Sequence, residues 1–188
     1  MFDRRQKMER VAAARLGWVR CAVEHTHHRH NASALLRTAD AFGVLDVHLV
    51  GGAAFVPSPG PASGAARWLR LHEHARAEAA IQAIRAAGCA LWVADLAPGA
   101  VPPEEVPLDR PICLWFGAEV VGVGDAARAA ADGVVTLPME GMCQSLNVSV
   151  AAAAALYVVT RRARSSLGDR ALLSDAERGA LLVAWEGA

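Results

Sequence analysis

The sequence lacks the patterns that mark several classes of protein. Its 188 residues contain no uninterrupted apolar run of 18 or more, the length that a membrane-spanning helix requires. The four cysteines are far apart and form no C-x-x-C pair, so neither a zinc site nor a disulfide framework is indicated. The first 16 residues carry charges where a signal peptide needs an apolar core, which predicts a cytoplasmic protein.

The chain contains a single lysine, Lys7, and arginine supplies the remaining positive charge. The formal net charge of zero hides an uneven distribution. Residues 1–40 hold eight Lys or Arg against four Asp or Glu, a net +4, whereas residues 41–160 hold six against eleven, a net −5. Basic residues at both ends suit a polyanion such as RNA, and ordinary solvated helix faces are the alternative. The candidate RNA-contacting residues are Arg4, Arg5, Lys7, Arg10, Arg161, Arg162 and Arg164.

Hydrophobic residues make up 54% and charged residues 20% of the chain, the composition of a globular protein. Short β-rich segments alternate with helical ones, which predicts an α/β fold with a mostly parallel sheet and flanking helices. We expect one domain over residues 1–188, with helical extensions at about 1–16 and about 165–188. Strands are predicted at 18–24, 46–50, 68–71, 89–95, 112–116 and 134–137, and helices at 3–15, 31–43, 74–87, 125–131, 146–164 and 174–185.

The segment 137–157 joins a strand-breaking Pro138, a loop and a long Ala-rich helix. Alanine is the best helix former, and residues 151–155 leave little side-chain bulk, so the helix can pack close to a neighbour. A polar cluster with Ser145 and Asn147 stands at its start, where unpaired backbone N–H groups can bind a ligand. The alternative is a core helix with serine or asparagine as its N-cap.

A histidine-rich stretch lies at 25–30 (HTHHRH). Such a tract permits a metal site, but no Asp, Glu or Cys stands nearby at ligand spacing. A solvated or RNA-facing loop is therefore favoured, and no metal is predicted.

Gly122 and Gly124 satisfy a loose G-x-G-x-x-G/A pattern. In a dinucleotide-binding fold the first glycine directly follows the first strand and opens a helix. Here the predicted strand ends five residues earlier and lies late in the chain, which argues against a nucleotide-dependent oxidoreductase. The chain also has no Ser-His-Asp arrangement, no HExxH motif and no P-loop.

Three polar clusters each follow a predicted strand. Parallel α/β sheets bind ligands beyond the carboxyl ends of their strands, so these clusters form the candidate site. They are Asn31 with Arg37, Gly117 with Glu119, and Ser145 with Asn147.

The segments that contain these clusters resemble the three motifs of the SPOUT-superfamily RNA 2′-O-ribose methyltransferases. The matching segments are NASALLRTADAFG at 31–43, FGAEVVG at 116–122 and LPMEGMCQSLNVSV at 137–150. They occur in the family's order and, together with the helix that follows, span residues 31–157. Within the superfamily the chain is most similar to the TrmH group, the tRNA guanosine 2′-O-methyltransferases, which have comparable helical extensions at both ends.

The resemblance implies a SPOUT fold with a C-terminal deep trefoil knot, S-adenosylmethionine as the cofactor and methylation of a tRNA ribose, with a D-loop guanosine as the expected target. It also implies a homodimer whose active site takes residues from both subunits, with no metal. The Trp-bearing last helix and the Ala-rich helix are expected to offer apolar surface to the second subunit. Ribosomal RNA or the tRNA anticodon loop as substrate, and a non-catalytic RNA-binding protein of the same fold, remain alternatives.

Carried onto this sequence, the family's catalytic arginine falls on Arg37. An arginine is essentially never deprotonated in a protein. We therefore expect Arg37 to bind RNA phosphate and stabilise the developing alkoxide, while the phosphate or a water takes the proton. The supporting catalytic residues are Asn31, Glu119, Ser145 and Asn147, and the residues around the cofactor are Ala94, Leu96, Gly117, Leu137, Met139, Ser145 and Leu146.

Overall fold

The computed structural model describes residues 3–24, 29–51, 63–118 and 121–187. The strands in these ranges are Val19–Glu24 (β1), Asp46–Val50 (β2), Arg70–His74 (β3), Ala90–Ala94 (β4), Ile112–Phe116 (β5) and Gly133–Val135 (β6). The helices are Arg4–Ala13 (α1), Arg29–Phe42 (α2), Ser63–Ala66 (α3), Ala77–Ala86 (α4), Asp125–Ala130 (α5), Val148–Leu167 (α6) and Asp175–Glu186 (α7), with a 3-10 turn at Gly168–Ala171.

The described strands form one sheet in the order β3-β2-β1-β5-β4-β6, and every pairing is parallel. Every residue of β2 and β5 is buried, as expected of a parallel sheet that is covered on both faces. The predicted α/β fold with a parallel sheet and flanking helices is therefore confirmed. The strand predicted at 68–71 begins instead at Arg70, because the amides of Trp68 and Leu69 donate to carbonyls of α3 and close a turn.

Helices cover both faces of the sheet. On one face, α6 packs against α2, β1 and β5 over the largest apolar cluster, which includes Leu35, Leu36 and Leu156. On the other face, α4 and α5 pack over a second cluster around Ile84 and Trp115. The terminal helices α1 and α7 pack on each other. No helix in the described part of the chain combines the length and the apolar character that crossing a membrane requires.

A buried arginine ties the terminal helices to the rest of the fold. The Arg15 side chain is 1% exposed, forms a salt bridge with Asp40 and donates to the Trp68 carbonyl at 3.0 Å. Its guanidinium lies 5.4 Å from the ring centroid of Trp185, which also meets Trp68 edge to face. Trp185 is 3% exposed, so the prediction that the last helix presents this tryptophan to a second subunit is wrong. Its own chain already covers the ring.

The local sequence predicts the start of one helix correctly and the start of another incorrectly. The Ser174–Glu177 capping box at the start of α7 is present, as the spacing indicates. The second helix was predicted to begin at Asn31, a residue type that often caps a helix, but α2 begins two residues earlier at Arg29 and Asn31 lies inside it. The side chain of Asn31 is therefore available for a contact outside its own helix.

Candidate active site

A cleft of about 220 Å³ opens at the carboxyl ends of β4, β5 and β6. Its walls are the segments that follow these strands, together with the first turns of α6. The edge of a parallel sheet where strands end is the usual place for a ligand. All seven residues predicted to surround a cofactor line this one cleft, although they come from four separate segments of the chain. They are Ala94, Leu96, Gly117, Leu137, Met139, Ser145 and Leu146.

The loop after β5 forms one wall of the cleft and is closed on itself. The Ala118 amide donates to the Gly122 carbonyl at 3.0 Å, and the Gly122 amide donates back at 2.8 Å. A Cβ on Gly117 would lie 2.2 Å from the Gly122 backbone carbon, so only glycine permits this close approach. Gly122 has a φ of +73°, which also favours glycine. Gly122, first noted for a dinucleotide-binding pattern, serves instead to close the loop.

Helix α6 lines the cleft with small side chains. Ala151 and Ala155 face the cavity, while Ala152 is fully buried against the rest of the protein. Methyl groups at these positions let the helix approach the sheet closely and leave space for a ligand beside it. The close packing predicted for the Ala-rich helix is confirmed.

The structure brings together two of the predicted catalytic residues that are far apart in the sequence. The side-chain amide of Asn147 donates to the side-chain oxygen of Asn31 at 3.1 Å. The oxygen of the Asn147 amide accepts from the backbone N–H and the hydroxyl of Ser149, at 2.8 and 2.6 Å, and so caps α6. Asn147 therefore links the start of α6 to the first turn of α2, and its amide is held by bonds on both sides.

The remaining catalytic candidates differ in how the structure places them. Ser145 is exposed and lines the cleft. Arg37 is an exposed residue of α2, and within the described ranges its guanidinium has neither a hydrogen bond nor a salt bridge. Glu119 lies outside the described residues. The roles of all five catalytic candidates and of the cofactor residues stay predictions.

Asp95 also lines the cleft, and the sequence did not single out its side chain, although its neighbours Ala94 and Leu96 were predicted to surround the cofactor. It follows β4 directly, lines the cavity and forms a salt bridge with Arg128 of α5 at 2.9 Å. Its other oxygen accepts from the Leu96 backbone N–H at 2.9 Å. The available indication was its position, because a polar residue immediately after a buried strand of a parallel sheet lies at the ligand-binding edge.

The predicted RNA-contacting residues fall into two groups. The four basic residues of α1 are exposed, and Arg5 pairs with Glu9 at 3.2 Å. Arg161 is also exposed. They are therefore available to a polyanion, and their RNA-binding role stays a prediction.

Arg162 and Arg164 are half-buried and bind the protein's own backbone. Arg162 donates to the carbonyls of Pro103 and Val106 at 2.8 and 2.9 Å. Arg164 donates to the carbonyl of Ala14 at 2.6 Å, and burial beside Arg161 lowers its pKa. This structural role was not predicted, because an arginine cluster on a late helix is usually a solvated face.

No metal centre emerges from the described ranges, where no three His, Cys, Asp or Glu side chains are grouped to hold a metal ion. Of the histidine-rich stretch, His30 is an exposed residue of α2. Residues 25–28 lie outside the described ranges.

We predict that Asn31 and Asn147 are energetically coupled. Asn147→Ala is expected to lower the free energy of unfolding by about 1 kcal/mol through loss of the helix cap. Asn31→Ala removes the bond between the two side chains. Urea denaturation of wild type, both single variants and the double variant should give a coupling energy of about 0.5–1.5 kcal/mol. Strictly additive effects would contradict a direct bond in solution.

Comparison with known proteins agrees with this geometry. The model of the SpoU rRNA Methylase family matches residues 19–157. A tRNA (guanosine(18)-2′-O)-methyltransferase of Thermus thermophilus is 38% identical over 184 residues, covering 97% of this chain and 95% of the relative. The crystal structure of a TrmH/SpoU tRNA modifying enzyme from A. aeolicus has a TM-score of 0.86 at 29% identity, covering 97% of this chain and 94% of that one.

A second solved structure contains a ligand. The SpoU methyltransferase AviRb from Streptomyces viridochromogenes, in complex with the cofactor AdoMet, has a TM-score of 0.71 at 28% identity and covers 80% of this chain and 62% of that one. Most of the chain is thus matched by the family model, and nearly all of it by a relative with a named activity. From its three motifs, its parallel sheet and the cleft at the strand ends, this protein belongs to the SpoU rRNA Methylase family.

Proposed function

We propose that this protein transfers a methyl group from S-adenosylmethionine to the ribose 2′-OH of guanosine 18 in the D-loop of tRNA. The observation that carries the proposal is the convergence of all seven predicted cofactor residues on one cleft, with Asn147 at the start of the helix that lines it. The T. thermophilus relative, matched over nearly the full length of both chains, bears the name of this activity.

The residues of the cleft fit S-adenosylmethionine. Its lining is mostly apolar, with Leu137, Met139 and Leu146 able to enclose an adenine ring. Backbone groups of the loops after β4, β5 and β6 border the same space and can read the polar edge of a base. When bound, the cofactor supplies a methyl group activated by its positively charged sulfur.

Arg37 acts on the RNA side of the reaction. Because its guanidinium is free of partners within the described ranges, it can bind a phosphate of the substrate without breaking an existing bond. It stabilises the negative charge that develops on the 2′-oxygen, and the phosphate or a water accepts the proton. The remaining rate enhancement comes from holding the 2′-oxygen in line with the transferred methyl group.

The two asparagines orient the site. The bond between Asn147 and Asn31 fixes α6, which lines the cofactor cleft, against α2, which carries Arg37. Ser145 lines the cleft two residues before Asn147 and contributes a hydroxyl there. The helix that lines the cofactor cleft and the helix that carries Arg37 are thus held in a fixed relative position.

A knotted backbone is part of the proposal. Strand β6 lies between β4 and Val101, because Val101 pairs with Val135 on the side away from β4. Further along the same connection, Pro103 and Val106 are bound by Arg162 of α6. The chain between β4 and β5 therefore passes around the outside of β6 and across α6, as expected where a C-terminal segment threads a loop.

A homodimer is also proposed. Val150 and Tyr157 are seven residues apart on one side of α6 and are 52% and 54% exposed. Exposed apolar side chains on a helix that lines the site support contact with a second copy. This side of α6, and not the last helix, is the proposed contact with the second copy, because the tryptophan of the last helix is buried within its own chain.

The exposed Arg161 is expected to contact substrate phosphate. Arg161→Ala should reduce the slope of log Kd against log salt concentration by about one, because one fewer counterion is released. Filter binding of tRNA at several salt concentrations measures this slope. Arg162 and Arg164 are left intact, since replacing them would disturb the fold. An unchanged slope would show that Arg161 does not contact RNA.

The test of the proposed function compares two tRNA transcripts that differ by one atom. One carries the natural ribose at guanosine 18, and the other carries 2′-deoxyribose there. Methyl transfer to the first and none to the second is the expected result. Equal transfer to both would place the methyl group elsewhere, and transfer only to ribosomal RNA would assign the enzyme to that substrate.

A further inference from the structure

A buried carboxyl group contacts the loop that forms a wall of the cofactor cleft and has no part in the reaction described above. Glu24 is the last residue of β1 and is 5% exposed. One of its oxygens accepts two hydrogen bonds, from the indole N–H of Trp115 at 2.9 Å and from the backbone N–H of Gly124 at 3.0 Å. Burying a carboxyl group among apolar residues costs free energy unless the group is hydrogen-bonded. The bonds from Trp115 and Gly124 offset that cost and favour the observed position of the side chain.

The contact with Gly124 holds the loop that forms a wall of the cleft. This loop leaves β5 at Gly117 and is closed by the paired backbone of Ala118 and Gly122. All three of these residues line the cleft. Its far end meets Glu24 so closely that a Cβ on Gly124 would lie 2.5 Å from a carboxyl oxygen. Strand β5 therefore fixes one end of the loop, and Glu24 fixes the other.

The contact with Trp115 sets the position of Glu24 itself. Trp115 lies in the middle of β5, opposite Ala22 of β1, so its ring reaches diagonally to the residue two further along β1. Its side chain is fully buried among the residues under α4 and α5. The carboxyl group is thus anchored to the sheet on one side and to the loop on the other.

We propose that Glu24 is a positioning residue for the cofactor site. By accepting from Trp115 and Gly124 through one oxygen, it holds Gly124, and with it the paired backbone of Ala118 and Gly122, in the position that borders the S-adenosylmethionine cleft. Glu24 is absent from the lining of the cleft and acts only through the loop. The inference rests on S-adenosylmethionine being the ligand of the cleft, as proposed above.

The experiment measures binding of S-adenosylhomocysteine, which needs no turnover, by calorimetry. Glu24→Ala removes the acceptor and should weaken binding about tenfold or more, corresponding to about 1.4 kcal/mol. Glu24→Gln keeps an oxygen that can accept both of these bonds, so it should bind more tightly than Glu24→Ala. Gly124→Ala keeps the carboxyl group but pushes the loop away from it, and should weaken binding as Glu24→Ala does. Glu73→Ala, at an exposed glutamate of edge strand β3, is the matched control.

Thermal unfolding of each variant separates positioning from a general loss of stability. A Glu24→Ala protein with a lowered melting temperature and wild-type affinity would overturn the proposal. If Glu24→Ala does not fold, Gly124→Ala decides, because wild-type affinity in that variant would equally overturn it. Failure of wild type to bind S-adenosylhomocysteine would instead contradict the proposed function.

Discussion

Replacing Arg37 by alanine is expected to slow methyl transfer about 100- to 1000-fold, the usual effect of removing one group that stabilises a developing oxyanion. Affinity for S-adenosylmethionine should stay within about twofold of wild type, as for other surface substitutions. Arg37 is exposed and, within the described ranges, bonds to nothing else, so its removal leaves no partner unsatisfied. Single-turnover kinetics with saturating enzyme and cofactor measure the rate, and calorimetry measures the affinity.

Two further variants sharpen this test. Arg76→Ala removes another exposed arginine, placed just before α4 on the opposite face of the sheet, and should retain the wild-type rate. Arg37→Lys keeps the charge but loses the planar fork that binds phosphate through two bonds, so it should recover only part of the activity. Loss of cofactor affinity in Arg37→Ala would show that the arginine belongs to the cofactor site instead.

A larger side chain on the cleft-facing side of α6 is expected to prevent the cofactor from binding. Ala151 lines the cavity on α6 and is only half-buried, so a leucine there can project into the space the ligand needs. Ala151→Leu should weaken S-adenosylmethionine binding at least about tenfold, about 1.4 kcal/mol, through steric exclusion. The melting temperature should change little, because the added side chain enters a cavity and not the packed core. Calorimetry and thermal unfolding measure the two quantities.

Ala153→Leu is the matched control for this prediction. Ala153 is also half-buried, but it lies two residues along α6 and so on the side turned away from the cleft. It adds the same volume to the same helix without entering the cavity. Because Ala153 lies on the same side of α6 as Val150 and Tyr157, the variant's oligomeric state is measured alongside, and where that state matches wild type it should bind the cofactor normally. Equal loss of binding in both variants would mean that the helix, and not the cleft, is disturbed.

Much of the fold was accessible from the sequence because its strands are buried on both faces. The runs DVHLV and ICLWF predict β2 and β5 with the bounds that the structure has. The capping box before α7 is likewise a purely local pattern. The grouping of the cleft residues came from the family resemblance, and the general rule for strand ends explains why they meet.

What the sequence could not provide are contacts between distant segments. Asn31 looks like an N-cap, yet its partner is Asn147 on another helix. Arg162 and Arg164 look like a solvated patch, yet each binds carbonyls from a remote part of the chain. Trp185 looks exposed on a short helix, yet it is buried against Trp68. A local sequence pattern does not indicate which distant residues contact it in the folded protein.

This chain is proposed to methylate a ribose of tRNA at the 2′-oxygen. The most direct test incubates the wild-type protein with S-adenosylmethionine and an unmodified tRNA transcript, digests the product and identifies the methylated nucleoside by mass spectrometry. We expect 2′-O-methylguanosine, confined to the fragment that contains position 18. A base-methylated nucleoside, or no methylation of tRNA by a protein that still binds the cofactor, would contradict it.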